Sequence, residues 1–251
     1  MSRVKDIVIK VLPSKIANDF VKKWHYSGKV VQNSSLHFGA FLDDKLHGVM
    51  SFGSPLDKRK VLPLVHTSEN VPCLWNEMLE LNRMAFDDIL PKNSESRCIS
   101  IAIKLIKKNA PHIKWLLSFS DGTQCGDGTI YRASGFSLTH FSSGAMWIMP
   151  EYLAKKNGGS NIAHRMKVQD KCSELSRYIL GQTNGKNLTM NGYVKKFGGS
   201  LMDGFMLRYI YLIDKTCKIS VPILPFSKID EMGAGMYKGE KISLEDRKVK
   251  E

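Results

Sequence analysis

Cysteine is scarce: Cys73, Cys98, Cys125, Cys172 and Cys217 are all the chain has, an odd number with no CxxC spacing among them. That argues against a disulfide framework and against a zinc knuckle, and it fits a reducing compartment, so a cytoplasmic location is expected. No apolar run reaches the roughly 18 residues of a membrane span. The opening MSRVKDIVIK has no apolar signal-peptide stretch, so neither membrane insertion nor export is expected. HxH and HxxxH spacings beside carboxylates are also missing. His37 and His47 are at most a pair facing each other across a hairpin, and no metal is expected. There is no internal repeat. Acidic residues are outnumbered, with 24 Asp and Glu against 37 Lys and Arg, a formal charge of +13.

What is present is a globular composition, 43% hydrophobic and 24% charged, enough to bury a real core over 251 residues. The positive balance favours a polyanionic partner, nucleic acid first, although a merely basic soluble enzyme fits the charge equally well. The excess is local. Between Lys155 and Lys196 nine Lys and Arg stand against Asp170 and Glu174. Lys155, Lys156, Arg165, Lys167 and Lys171 are the candidate contacts to a nucleic-acid backbone, with Tyr178, Tyr193 and Phe197 as sparse stacking residues. A solvated helix face is the bland alternative.

Periodicity divides the chain into elements. Asp6–Leu12 alternates as a strand, and Ser14 caps a helix over Lys15–Trp24 whose apolar face is Ile16, Phe20, Val21 and Trp24. Leu36–Leu42 and Leu46–Gly53 form a hairpin about Asp43-Asp44-Lys45. A strand around Leu81–Ala85 comes next. Ile99–Lys108 reads as an amphipathic helix, with Ile99, Ile103 and Ile106 opposite Lys104, Lys107 and Lys108. Ile113–Phe119 is a strand buried on both faces. A short helix spans Gly128–Ser134, and Phe136–Pro150 supplies one or two further strands. The expected class is α/β, a mixed α+β sheet with helices on both faces. Residues 1–150 form its catalytic core. Residues 151–238 are a basic helical elaboration that opens with a linker at Lys155–Asn161, continues as a helix over Ile162–Leu180 and returns a strand at 206–213. Residues 239–251 are a charged tail.

The chemistry concentrates between Glu80 and Phe136, where two strands, a helix start and a Tyr-bearing loop converge on one end of a sheet. Pro91–Ser96 leads into a helix beginning near Arg97. Asn93, Ser94 and Ser96 are all suitable caps, and the first-turn N–H groups suit a phosphate or carboxylate. Glu80 and Arg83 fall on opposite faces of a regular strand. Asp121 lies at the carboxyl end of its strand, as a general base if burial raises its pKa or as a simple turn residue. Tyr131 offers an acid or a ligand-fixing phenol, or packs against the sheet. His25 closes the first helix. With Trp24, Tyr26 and Ser27 it can contact a base, or it can serve only as a dipole partner.

Element order and sizes resemble the GNAT acyltransferase superfamily, in which the helix start after the fourth strand holds the donor's pyrophosphate and a Tyr on the next helix serves as acid. Pro91–Arg97 and Tyr131 stand in those places, without the spaced glycines usual at the first. The closer resemblance is to the Mom family of phage DNA-modification proteins, themselves GNAT-like. It is carried in order by WHYSG (Trp24–Gly28), ELNRMAFDDILPKNSES (Glu80–Ser96), SFSDG (Ser118–Gly122) and GTIYRASGF (Gly128–Phe136). The resemblance implies a GNAT-like fold with a basic C-terminal elaboration, and conversion of adenine in DNA to its N6-carbamoylmethyl form, which shields phage DNA from restriction.

In that reading Asp121 or His25 takes the proton from the amine, and Tyr131 orients the donor or protonates its leaving group. Asn93, Ser94, Ser96, Arg97, Arg83 and Glu80 hold the donor, while Trp24, Tyr26 and Ser27 contact the base. The expected partners are double-stranded DNA and an acyl or aminoacyl donor, either an acetyl-CoA-type thioester or an aminoacyl-tRNA. Base flipping explains why a basic surface accompanies the chemistry. Two other readings stay open: an N-acyltransferase for a small-molecule or protein amine, and a non-catalytic DNA-binding protein on a transferase scaffold.

Overall fold

A computed structural model describes residues 3–25, 27–121, 128–143, 146–169, 172–202 and 205–231. They fall into two compact units. The larger holds the described residues up to Ser120 with Gly128–His140 and Leu207–Lys228. The smaller holds Asp121, those within Phe141–Met206 and the residues from Ile229 on.

The larger unit is organised by a seven-stranded sheet. Its strands are β1 (Val8–Val11), β2 (Ser34–Leu42), β3 (Lys45–Gly53), β4 (Met78–Phe86), β5 (Trp115–Asp121), β6 (Ser137–Ser143) and β7 (Phe205–Leu212), in the order β1-β2-β3-β4-β5-β7-β6. The first four are antiparallel neighbours, while β4 and β5 run parallel, so the sheet is mixed as the element pattern implied. The β2–β3 hairpin turns on Asp43 and Asp44, both at positive φ (49° and 59°), a two-residue turn whose twist matches that of the strands. Lys45 therefore belongs to the strand and pairs with Leu42.

Helix α1 (Ser14–Trp24) begins at Ser14 itself, which is not its cap. Ala17 and Val21 are its buried residues, packed on Leu12, Val49 and Ala85. Ile16 and Trp24, expected on that face, are 48% and 40% exposed. The i, i+4 pair of Ala17 and Val21 is small enough for α1 to lie close to the sheet. A second core of Val61, Leu64, Val65, Cys73, Met78, Trp115, Leu117, Ile210 and Cys217 fills the far end of β4, β5 and β7.

Two features of β4 shape the end of the sheet where the chemistry-bearing residues lie. In its ladder with β3, Ser51 pairs with Arg83 and Phe52 with Leu81, so Asn82 is an extra residue, a β-bulge. Glu80, paired with Gly53, and Arg83 thereby face the same side. This corrects the expectation from regular alternation, because a bulge shifts the two-residue period by one. Secondly, β4 and β5 share a ladder only from Met78/Trp115 to Leu81/Ser118. Beyond it both strands continue unpaired with each other.

At the end of β4 the Asp87 carboxylate meets His47 Nδ1 at 2.9 Å, with side chains only 6% and 8% exposed, and it also accepts from the Ile89 N–H at 3.1 Å. This pair ties the hairpin to the turn leading into helix α2 (Ser94–Asn109). Asp87→Ala should destabilise the protein by about 3 kcal/mol in urea melts, since it orphans a buried partner. An unchanged midpoint would show the pair to be incidental.

The smaller unit has its own core of Trp147, Met149, Leu153, Ala163, Val168, Leu175, Ile179 and Tyr193. Around it lie three short strands (Ser200–Leu201, Met146–Ile148, Ile162–His164) and, beyond α3 (Thr129–Ala133) of the larger unit, helices α4 (Glu174–Gln182) and α5 (Met190–Phe197). The single helix expected over Ile162–Leu180 is instead a strand, one helical turn at Arg165–Val168 and then α4. Ser173 starts α4 by accepting from the Ser176 N–H at 3.0 Å. The expected linker contains a 3-10 turn, Lys155–Asn157, ended by Gly158 and Gly159 at positive φ. Tyr193 is fully buried against Trp147, which removes it as a stacking residue for a nucleobase.

Candidate active site

The cluster forms where β4 and β5 part. At the end of α1 the His25 N–H bonds to the Val21 carbonyl. The His25 ring accepts at Nδ1 from the Ser27 N–H (3.1 Å) and meets the Ser27 hydroxyl at 2.8 Å. Nδ1 is thus the acceptor and the ring proton sits on Nε2. Burial, then the neighbouring Arg83 charge, lowers the His25 pKa to about 4, so the ring is a neutral donor at pH 7. Arg83 is held by two carbonyls, donating from Nε to Lys29 (2.8 Å) and from Nη1 to Asn82 (2.7 Å). Beside it, burial raises the Glu80 pKa to about 7, against the opposing pull of Arg83. That carboxyl is poised to exchange a proton near neutral pH.

Across the divergence Tyr131 is buried in α3. Its ring stacks on Tyr209 (5.0 Å between centroids) and meets Phe136 edge-on (5.4 Å). Burial raises its pKa, a hydrogen bond with Ser118 opposes the rise, and the Glu80 charge adds to it, so the phenol stays protonated. Ser118 donates to the Leu81 carbonyl at 3.0 Å, joining the two strands at their last shared rung. Gly128, at φ 75°, precedes α3, where an added Cβ would stand 2.4 Å from the Tyr209 ring.

The start of α2 differs from expectation. Asn93 is left-handed (φ 70°) and makes no side-chain cap. The Ser94 hydroxyl donates to the Pro91 carbonyl and that of Ser96 to the Asn93 carbonyl (3.2 Å). Both hydroxyls thus turn back to preceding carbonyls, that of Pro91 for Ser94 and that of Asn93 for Ser96, as short hydroxyl side chains readily do. The first turn is therefore not capped by these side chains. Arg97 has a buried Nε with no hydrogen-bond partner. Ser134 of the α3 segment donates to the Ser96 carbonyl (3.4 Å), which fixes α3 against this turn.

Other candidates are less gathered. Asp121 ends β5 and groups with the smaller unit. Trp24 is 40% exposed beneath the Lys23 ammonium. Ser27 is engaged by His25. Tyr26 and Lys171 lie outside the described residues. In the smaller unit Lys155 and Arg165 are exposed and Lys167 half-buried, while Lys156 pairs with Glu174 at 3.4 Å. His37 bonds Ser51 and His47 bonds Asp87, so the two do not converge on one ion. Among the described residues no group of three or more His, Cys, Asp or Glu is placed to hold a metal, and no helix is long and apolar enough to cross a membrane. Sequence reasoning passed over Ser118, although it begins the SFSDG motif. It also passed over Arg208, visible as the lone charge in the apolar run MLRYIYLI.

The model of the Mom protein family matches residues 6–228, nearly all of the described chain. The chain belongs to the Mom family. The methylcarbamoylase mom of Escherichia phage Mu is 36% identical over 135 residues, covering 53% of this chain and 54% of that one. The match thus spans about half the length of that Mom relative. Solved structures similar to this Mom-family chain include a Bacillus subtilis acetyltransferase in complex with CoA (TM-score 0.43, 11% identity, 82% of this chain and 98% of that one). An IAA acetyltransferase from Bacillus cereus gives TM-score 0.43 at 11% identity, over 82% of this chain and 99% of that one.

Proposed function

We propose that this Mom-family protein is a DNA-modifying transferase that attaches a carbamoylmethyl-type group to N6 of adenine in duplex DNA, protecting phage DNA from restriction. The observation that supports it most is the grouping of Glu80 and His25 about Arg83 where β4 and β5 separate, with Tyr131, on the Ser118 side of the strands, near enough to feel the Glu80 charge, in a chain related to a methylcarbamoylase.

As N6 bonds to the donor's acyl carbon it loses a proton and the donor's ester or thioester bond breaks; a glycyl group transferred in this way has the same atoms as a carbamoylmethyl group and reaches that form by isomerisation. Glu80 accepts the proton, being the carboxyl whose pKa of about 7 suits that step. The donor's leaving atom departs with its electron pair and takes a hydrogen bond or proton from Tyr131, in contact with Ser118. Neutral His25 donates from Nε2 to a base acceptor, and Arg83 holds a donor carboxylate or phosphate. The uncapped start of α2, with Asn93, Ser94, Ser96 and Arg97, lies toward the donor, an acyl or aminoacyl species of the acetyl-CoA or aminoacyl-tRNA type. Lys155, Lys156, Arg165, Lys167 and Lys171 supply positive charge for the backbone.

Nucleoside mass spectrometry of DNA from cells expressing the protein should show N6-carbamoylmethyladenine. Ordinary adenine alone, with the protein folded and soluble, overturns the assignment.

A further inference from the structure

The sheet face that carries Glu80 and Arg83 has one further stretch the proposed chemistry does not use. Ser118 turns toward Tyr131, so the next residue of β5, Phe119, points to the opposite face, where it is 40% exposed. Tyr209 of β7 stacks on Tyr131, so Arg208 turns to the face of Phe119. This is also the face of Ala85, packed under α1, and, by register, of Arg83 and Glu80. On that face β4 carries Glu80 and Arg83, and the next two strands, β5 and β7, carry Phe119 and Arg208.

Arg208 is half-buried and has no carboxylate partner among the described residues. Its Nε donates to the Thr139 hydroxyl (3.0 Å) and its Nη2 to the Thr139 carbonyl (3.3 Å). Burial alone lowers its pKa. The adjacent His140 has its pKa lowered by burial and by the Arg208 charge. A desolvated guanidinium satisfied only by neutral acceptors is a site complementary to an oxyanion, and a fork suits phosphate. An exposed phenylalanine beside it offers a stacking surface to a base of any identity.

We propose that Phe119 and Arg208 form the nucleic-acid side of the site. Phe119 stacks on the extruded adenine and Arg208 takes the backbone phosphate next to it. The inference rests on the reading of duplex DNA as acceptor. It predicts that both residues act on DNA binding and leave the proton chemistry of Glu80 untouched.

The test is binding of the full chain to a fluorescein-labelled duplex across a NaCl series. Phe119→Leu and Arg208→Gln should each weaken binding about fivefold to twentyfold. Arg208→Gln should also flatten the slope of log affinity against log salt by about one, as loss of one phosphate contact requires. Phe119→Tyr should restore binding. Because Arg208 also ties β7 to β6, the Phe119→Leu and Phe119→Tyr pair, at an exposed position, decides the matter if Arg208→Gln does not fold. Variants that bind like the parent with an unchanged slope, while the parent still modifies adenine, overturn this inference alone. A parent with no salt-dependent affinity for duplex DNA overturns the acceptor reading, and this site with it.

Discussion

Glu80→Gln is expected to lower the transfer rate by about a hundredfold or more while making the protein more stable. The rate loss follows from removing a positioned base, which contributes roughly 10²–10⁴-fold. In the parent, the rate should rise with pH up to about 7, where the Glu80 carboxyl becomes ionised, and level off above. The variant should lack that limb.

The stability gain follows from linkage. Burial raises the folded-state pKa of Glu80 from 4.5 to about 7, so the folded state binds this proton more tightly than the unfolded chain. Its ionisation opposes folding fully above about pH 7. The penalty fades as pH falls from 7 toward 4.5 and is gone below. Glutamine removes it, a gain of up to about 3 kcal/mol at pH 8 at ~1.4 kcal/mol per pKa unit, and almost nothing at pH 4. Thermal melts of parent and variant at the two pH values read this directly. A variant that transfers normally, or is stabilised equally at both, would exclude Glu80 as the base.

Gly128→Ala should be the most damaging small substitution near the site. Its φ of 75° already disfavours any side chain, and the added Cβ would stand 2.4 Å from Tyr209, a fully buried ring. Tyr209 cannot retreat without disturbing its stack with Tyr131. Backbone strain of about 1 kcal/mol and overpacking of about 1–3 kcal/mol together give a loss of about 2–4 kcal/mol, with a tenfold or larger fall in transfer as the phenol shifts.

Gly135→Ala is the matched control. Its φ is 81°, but the nearest atom to an added Cβ is 3.7 Å away, so only the backbone cost of about 1 kcal/mol applies. Equal losses for the two in urea melts would mean that the Tyr209 contact contributes nothing.

Much of the fold could be read from periodicity. Residue pattern located the hairpin about Asp43-Asp44-Lys45 and the strand expected over Ile113–Phe119, although that strand begins at Trp115 and is buried only as far as Ser118, Phe119 being 40% exposed. Motif spacing pointed to His25, Glu80, Arg83 and Tyr131; in the structure Arg83 lies beside His25 and Glu80, and Tyr131 is on the Ser118 side of the strands. What escaped was whatever depends on a partner far along the chain. The aromatic core of the smaller unit joins Trp147 to Tyr193, and no local pattern distinguishes a buried tyrosine from one offered to a base. The division of Ile162–Leu180 turned on a serine cap outweighed, in the sequence, by apolar spacing on both sides of it.

The amino-acid sequence by itself determined the class of the protein: a basic α/β chain whose ordered motifs mark it as Mom-like, with a candidate site proposed between Glu80 and Phe136. Only the tertiary structure decided the division of labour inside that segment. A single extra residue, Asn82, turns Glu80 and Arg83 to one face, and burial there lifts the Glu80 carboxyl to neutral pH while keeping His25 uncharged. A bulge is defined by register against a neighbouring strand, and a desolvated pKa by everything packed around the group. Neither property resides in the residues that display it.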